Sequence, residues 1–337
     1  MKIPYREMQE VLANILLKAG FATDRAQLCA TLFTDSSRDG VYTHGLNRFP
    51  RFMAMIQNGI IDIHARPELT SSVGALERWD GRRGPGNLNA HECMNRAMAL
   101  ARQFGMGCVA LANTNHWMRG GSYGWQAAEA NMIAMCWANT MPNMPPWGAS
   151  EPRLGNNPLV IAVPRPDGHV VLDMAMSQFS YGALESYRLR SEQLPVAGGF
   201  DSDGRLSSDA GTIESSRRLL PIGFWKGSGL ALMLDLLAAI LSGGNGTHQI
   251  TPDSLNETGL SQLFLAFDLS LIDQNRESAR AVNEIIEFVH GAKPVGNEPV
   301  RYPGERTLEI RKRNLAEGIP VEPLIWQRIL EMKKSEE

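Results

Sequence analysis

Apolar residues recur at helical spacing from the start of the chain. Tyr5, Met8, Val11, Leu12, Ile15 and Leu16 form one stripe, and Gly20 stops it. A second helix is predicted from Thr23, with Leu28, Leu32 and Phe33 on one face, ending in the polar segment 35–40. A third is predicted from Leu46 to Asn58, with Pro50 near its first turn, where a missing N–H is tolerated, and Gly59 as its stop. The first 60 residues therefore read as a helical lobe. After Pro67 the period changes. Asn89 with Glu92 resembles a capping box and predicts a helix to about Gln103. Short apolar runs at 109–111, 132–137, 159–163, 170–172 and 263–267 predict buried strands. Residues 226–241 form a strongly apolar helix closing on Gly243-Gly244. The segment 190–215 is rich in Gly, Ser and Asp and reads as a surface excursion, and helices near 274–290, 303–316 and 321–335 finish the chain. The class is α/β with helical ends.

Composition narrows the function. The 337 residues carry 33 Lys+Arg against 36 Asp+Glu, so the net charge of -3 gives no basic excess for nucleic acid or a membrane surface. The 43% hydrophobic share is that of a globular chain. Cys29, Cys93, Cys108 and Cys136 form no CxxC pair and read as buried thiols in a reducing compartment. The first ten residues hold charge and no apolar core, so no secretory signal is expected. The longest apolar stretch, Leu230 to Leu241, is interrupted by Asp235 and falls short of the ~20 residues that cross a bilayer. A cytoplasmic protein with no nucleic-acid or membrane partner is the expectation.

Three motifs fit only in letters. Gly105-Met106-Gly107-Cys108-Val109-Ala110 lies between a helix and the following strand, the reverse of the order a dinucleotide fingerprint needs. His91-Glu92-Cys93-Met94-Asn95 begins like a zinc-binding HExxH but lacks the second histidine, so no metal is expected there. Gly120-Gly121-Ser122-Tyr123-Gly124 spells GxSxG, yet the polar segment 114–119 separates Ser122 from the strand that a nucleophile elbow requires.

Two polar constellations carry more. In Thr43-His44-Gly45-Leu46-Asn47-Arg48, a helix beginning near His44 would put Arg48 one turn on, on the same face. Such a pair suits a 2-oxo acid: Arg clamps the carboxylate and His exchanges a proton with the neighbouring carbonyl oxygen. Taken alone, His-x-x-x-Arg is more often a solvated helix start. Asn113 to Gly121, including His116, follows a strand end, where α/β proteins commonly place sites, although a hydrogen-bonded surface loop fits equally well.

The motifs Val41-Tyr42-Thr43-His44-Gly45, Asn47-Arg48-Phe49-Pro50-Arg51-Phe52, Asn115 to Trp125, Met144 to Ala149, Gly155-Asn156-Asn157-Pro158, Phe224 to Gly229 and Pro303-Gly304-Glu305 span nearly the whole chain. Together they resemble the type-2 malate/L-lactate dehydrogenase family, and the Asn115–Trp125 and Met144–Ala149 runs are specific to a branch acting on a diketo sugar acid. The resemblance implies a non-Rossmann mixed β-sheet with flanking helices. It also implies a helical lobe of residues 1–65 joined by the C-terminal helices 274–337, with 66–273 as the cofactor and substrate domain. It implies a homodimer and an NAD cofactor, NADH preferred and NADPH possible. His44 matches the family's proton donor. The cofactor segments match His169, Val170, Val171, Leu172, Asp173, Met174 and Ala175, then Trp225 and Lys226, then Gly304, Glu305 and Arg306.

These segments suit the group. Asp173 at a strand end could accept ribose hydroxyls, Trp225 offers a flat face, Lys226 a cation, and Gly304 opens a helix whose free N–H groups favour an anion. Without the family, a core strand, a packed Trp and a plain helix start would each be the better reading. The expected reaction is hydride transfer to the C2 carbonyl of a 2-oxo sugar acid, with His44 as acid and Arg48 and His116 holding the substrate. Malate, lactate or ureidoglycolate dehydrogenation is the alternative. Two departures bear on this expectation. Pro-Gly-Glu-Arg replaces the branch's Pro-Gly-His-Glu, putting a cation at Arg306, and Met141-Pro142-Asn143 is less apolar than usual.

Overall fold

A computed structural model describes residues 1–273 and 277–334; the start of the predicted 274–290 helix and the last position of the 321–335 helix lie outside them. After strand β1 (Lys2–Ile3), the two N-terminal stripes become α1 (Tyr5–Lys18) and α2 (Thr23–Arg38). The third helix differs from expectation. Two 3-10 turns, Tyr42–His44 and Leu46–Arg48, precede α3 (Phe49–Gln57). Gly45 breaks the run: the Leu46 N–H is taken by Ser37 Oγ at 2.8 Å, and a Cβ on Gly45 would lie 2.2 Å from that oxygen. His44 and Arg48 therefore sit on consecutive tight turns rather than on one helical face.

Next come β2 (Glu68–Val73) and β3 (Leu76–Asp80), then α4 (Gly86–Phe104) and β4 (Met106–Thr114). The β2–β3 hairpin has no sequence signature because β2 is exposed along its length and shows no apolar alternation. Helix α4 starts three residues before the predicted cap, directly after Pro85. Asn89 is not a cap; its amide donates to Gly81 O at 2.9 Å and Thr114 Oγ1 at 3.0 Å. Gly105 ends α4 at φ +85, as a helix stop rather than a phosphate loop. Ser122 is the second residue of α5 (Gly121–Glu129), well past the end of β4, so it sits on no nucleophile elbow.

Strands β5 (Met132–Ala138), β6 (Leu159–Val163) and β7 (Val170–Met174) follow. The 190–215 excursion holds structure after all. After α6 (Tyr181–Leu189) come the small hairpin β8 (Gly199–Phe200) and β9 (Leu206–Ser207) and helix α7 (Ala210–Ser216), anchored by the fully buried Ile213. Then come α8 (Trp225–Ser242), β10 (Leu260–Asp268), the short α9 (Leu269–Ile272), α10 (Glu277–His290), α11 (Glu305–Glu317), β11 (Ile319–Pro320) and α12 (Pro323–Lys334).

Seven strands form one mixed sheet in the order β2-β3-β4-β10-β5-β6-β7, with β3–β4 parallel and the other neighbours antiparallel. One apolar layer packs a sheet face against α4 and α5 through Met94, Ala97 and Tyr123; the opposite face packs on α8 through Ala231, Leu234 and Ala238. A third core joins α1–α3 to Ile319, Trp326 and Ile329, so α12 and β11 complete the N-terminal helical layer. Helix α10 does not join it: Asn283 accepts a 2.7 Å bond from Arg165, in the turn between β6 and β7. Helix α8 is apolar and long enough to cross a bilayer by composition, but it lies on the sheet, and its Asp235 accepts from Thr247 N–H and Asn139 Nδ2, each at 2.9 Å.

Asp39, at the end of α2, locks the helical layer to the rest. Its carboxylate is 1% exposed and binds Arg38, Arg119 and Arg311 at 2.6–2.8 Å. Burial alone would raise its pKa, but the Arg311 hydrogen bonds and the charges of Arg119 and Arg38 hold it well below the usual range. A folded-state pKa below the unfolded one adds stability above about pH 4, and that stability is lost as pH falls further. Asp39→Ala leaves the guanidinium groups of Arg119 and Arg311 without their close anion, while Arg38 keeps Asp35 at 2.7 Å, and a cost of about 3–5 kcal/mol is expected in urea unfolding at pH 7. The difference from the parent protein should shrink towards pH 3.

Candidate active site

The strand ends and the α2–α3 turns converge on a cavity of about 1170 Å³. Several short-range devices build its wall. Past Thr114 the chain turns outward through the buried Asn115, whose amide donates to Arg83 O at 2.7 Å and Gly84 O at 3.0 Å. Gln262 of β10 donates to Asn115 O at 3.1 Å. Gly86 must be glycine here, because a Cβ would fall 2.2 Å from Asn115 O. This scaffold fixes His116, whose Nδ1 accepts the Met118 N–H at 3.0 Å while Met118 adopts φ +64. With Nδ1 occupied as an acceptor, the neutral ring carries its proton on Nε2.

His44 and His116 stack, with centroids 5.8 Å apart and planes 18° from parallel. Thr43 Oγ1 lies 3.0 Å from His44 Nδ1. Burial, then the charges of Arg48, Arg119 and Arg51, push the His44 pKa down to about 3. His116 is held well below its usual value by burial and then by Arg48. Both rings are therefore neutral near pH 7. Arg48 is enclosed, lowered to about 10 by burial and the nearby Arg51. Among the described residues it has no side-chain hydrogen bond or ion pair, and its Nε is buried and unsatisfied. A desolvated cation without a counter-ion is costly unless a ligand supplies one.

The other end of the cavity is lined by Val171, Leu172 and Asp173 of β7 and Ala175 just after it, by Trp125, and by Gly304, the residue before α11. Asp173 is exposed where it faces the cavity; its Oδ2 accepts the Gly121 N–H at 2.8 Å, and desolvation raises its pKa against the pull of Arg119. Gly304 lies at φ +98 with space for a Cβ only 3.0 Å from Val171 N, so the entrance to α11 stays bare. An acceptor carboxylate and a helix N-terminus without a side chain fit a nicotinamide dinucleotide: ribose hydroxyls and an anion each find a counterpart.

Not every expected residue is here. His169, Val170, Met174, Trp225, Lys226, Glu305 and Arg306 do not line the cavity. His169 packs on Trp125 at 5.8 Å and accepts the Arg165 N–H. Val170 and Met174 are the end residues of β7. Glu305 is engaged with Tyr302 N–H and His290. Trp225 is 64% exposed at the start of α8, followed by Lys226, and Arg306 is on the surface. Conversely, Arg51, Trp125, Glu185 and Glu257 line the cavity without having been singled out. Trp125 and Arg51 lay within the quoted motifs; Glu257 sits in an aperiodic loop that carried no signal.

A cationic 2-oxo acid pocket next to a dinucleotide face defines an oxidoreductase of hydroxy and oxo acids. The family model for malate/L-lactate dehydrogenase matches residues 3–330, and the chain belongs to that family. It is 46% identical over 331 residues to a 2,3-diketo-L-gulonate reductase of Klebsiella pneumoniae (strain 342), covering 98% of this chain and 99% of the relative. Its fold is shared with sulfolactate dehydrogenase from Methanocaldococcus jannaschii (TM-score 0.92, 25% identity, 100% and 97% of the two chains). Malate dehydrogenase from Pyrococcus horikoshii OT3 is as close (TM-score 0.91, 26% identity, 100% and 95%).

Proposed function

We propose that this enzyme reduces the C2 carbonyl of a 2-oxo sugar acid, with 2,3-diketo-L-gulonate as substrate and 3-dehydro-L-gulonate as product. The observation that carries the chemistry is Arg48, a half-buried guanidinium that makes no side-chain hydrogen bond or ion pair among the described residues, beside the neutral, stacked pair His44 and His116. The likeness to reductases of that sugar acid supports the choice of substrate.

The bound cofactor supplies a hydride to the carbonyl carbon. Arg48 holds the substrate carboxylate in bidentate fashion and so orients the carbonyl. His44 gives its proton to the oxygen as negative charge develops there. In the empty site His44 is neutral, because burial and then the charges of Arg48, Arg119 and Arg51 disfavour its protonated form. A bound carboxylate cancels that charge and lets the ring take up the proton it later delivers. His116, with its Nε2–H fixed outward from the Met118 contact, donates to the neighbouring C3 oxygen. Asp173 accepts ribose hydroxyls, and this carboxylate together with the surface position of Arg306 favours NADH over NADPH. The helical lobe 1–65 thus supplies the acid and the clamp, and the sheet domain 66–273, with Gly304 before α11, the cofactor face. Incubation with 2,3-diketo-L-gulonate and each reduced cofactor tests the assignment; faster loss of NADPH than NADH would overturn the cofactor preference.

We also infer a homodimer in the cytoplasm. Four buried free thiols suit a reducing compartment. Helix α8 leaves Leu232, Met233, Leu236 and Ile240 between 43% and 64% exposed, a continuous apolar face that a second copy would cover. Trp225 and Lys226 begin this same helix and would lie at that interface. Ile240→Glu should convert the protein to monomers in light scattering; a parent protein that is already monomeric at micromolar concentration would refute the dimer.

A further inference from the structure

We propose that Glu257 sets the charge selectivity of the site, admitting 2-oxo acids with one negative charge and turning away those with two. The proposal rests on the reading of Arg48 as the carboxylate clamp. Four arginines line the cavity: Arg48, Arg51, Arg119 and Arg217. Arg119 is bound to Asp39 at 2.6 Å, and Arg217 is exposed at the rim. Arg51, one helical turn after Arg48, is the remaining cation that could take a second carboxylate. It is already engaged. Its Nη2 donates to Ser254 O and lies 3.7 Å from Glu257 Oε2.

Glu257 is held in place to do this. It is 3% exposed, and its other oxygen accepts the Met141 N–H at 3.2 Å. Glu185 and Asp253 also line the cavity, and with Glu257 they act on the charges of Arg48 and Arg51. That end therefore presents carboxylates, which accept bonds from hydroxyl groups and repel a second anion. A polyol tail suits it; the tail carboxylate of oxaloacetate or the sulfonate of a sulfo-acid does not. The fold shared with dehydrogenases of malate and sulfolactate is thus tuned here by one buried acid.

Oxaloacetate and 2-oxobutyrate have four carbons each and differ by one charge, so the ratio of their kcat/KM values reads the selectivity. The parent enzyme should favour 2-oxobutyrate by about tenfold or more. Glu257→Gln keeps an acceptor for Met141 N–H and removes the negative charge beside Arg51, and should raise the oxaloacetate ratio about tenfold. The double variant E257Q/R51M should lose that gain. A parent enzyme favouring oxaloacetate, an unchanged ratio in E257Q, or a gain that survives without Arg51 would each overturn the proposal. The parent ratio decides the matter if E257Q does not fold. Failure of the substrate assignment is distinguishable, because it appears as no turnover of the diketo sugar acid while this ratio is still measurable. A parent enzyme that turns over no 2-oxo acid would remove both.

Discussion

His44→Ala should lower turnover about 10³–10⁴-fold while reduced cofactor still binds. The imidazole is the group on the α2–α3 turns that can deliver a proton into the cavity. Arg48 and Arg51 stay charged near neutral pH, and His116 lies on the loop after β4, with its Nδ1 accepting Met118 N–H and its Nε2–H held for the C3 oxygen. Alanine removes the acid and leaves the cofactor end untouched, since Asp173, Trp125 and Gly304 lie on other elements. Reduction needs the protonated ring. In the parent, kcat for reduction should therefore fall as pH rises through the His44 pKa of the loaded site, and kcat for oxidation should show the opposite slope. His44→Gln, with no titrating group, should flatten both limbs. Single-turnover kinetics and cofactor fluorescence separate the two effects; near-parental turnover in H44A would remove His44 from the chemistry.

Arg48→Met should cost about 10²–10³ in kcat/KM for the acid, from the loss of two charge-assisted hydrogen bonds at about 1.5–3 kcal/mol each, partly offset by the burial of an apolar chain. Because Arg48 has no protein partner among the described residues, its removal orphans nothing, and thermal stability should hold or rise. That pairing of lost activity with retained stability distinguishes a substrate clamp from a structural arginine. The contrast with Asp39 is direct, since there the partners are protein groups and stability carries the loss. Removal of Arg48 should also raise the His44 pKa, because its charge is among those depressing it. A destabilised R48M with normal kcat/KM would reverse the assignment.

The legible parts of the sequence were those in which burial imposes a period. The stripes of α1 and α2 and the apolar runs of β5, β6 and β10 face cores along much of their length, so their patterns survive. The β2–β3 hairpin, exposed at the sheet edge, left no such trace. Helix α4 was entered early because Pro85-Gly86 permits a close pass over Asn115 O, a tertiary contact that no capping pattern encodes. At the site, His44, Arg48 and His116 are brought to one cavity, although the turns that do so are 3-10 and depend on Gly45 meeting Ser37. The β7 segment was half legible, since Val171, Leu172, Asp173 and Ala175 face the cavity while Val170 and Met174 do not. Trp225-Lys226 and Arg306 carry the right chemistry on the wrong surface of a single chain. Glu257 was invisible, because its role comes from a distant arginine and a loop N–H.

The most direct measurement is the rate of loss of reduced-nicotinamide absorbance with 2,3-diketo-L-gulonate, pyruvate and oxaloacetate, using NADH and NADPH in parallel. Rapid loss with NADH and the diketo sugar acid, and slow loss with the other two, is the expected result. No loss with any of the three acids and either cofactor would contradict the assignment of this cavity to 2-oxo acid reduction.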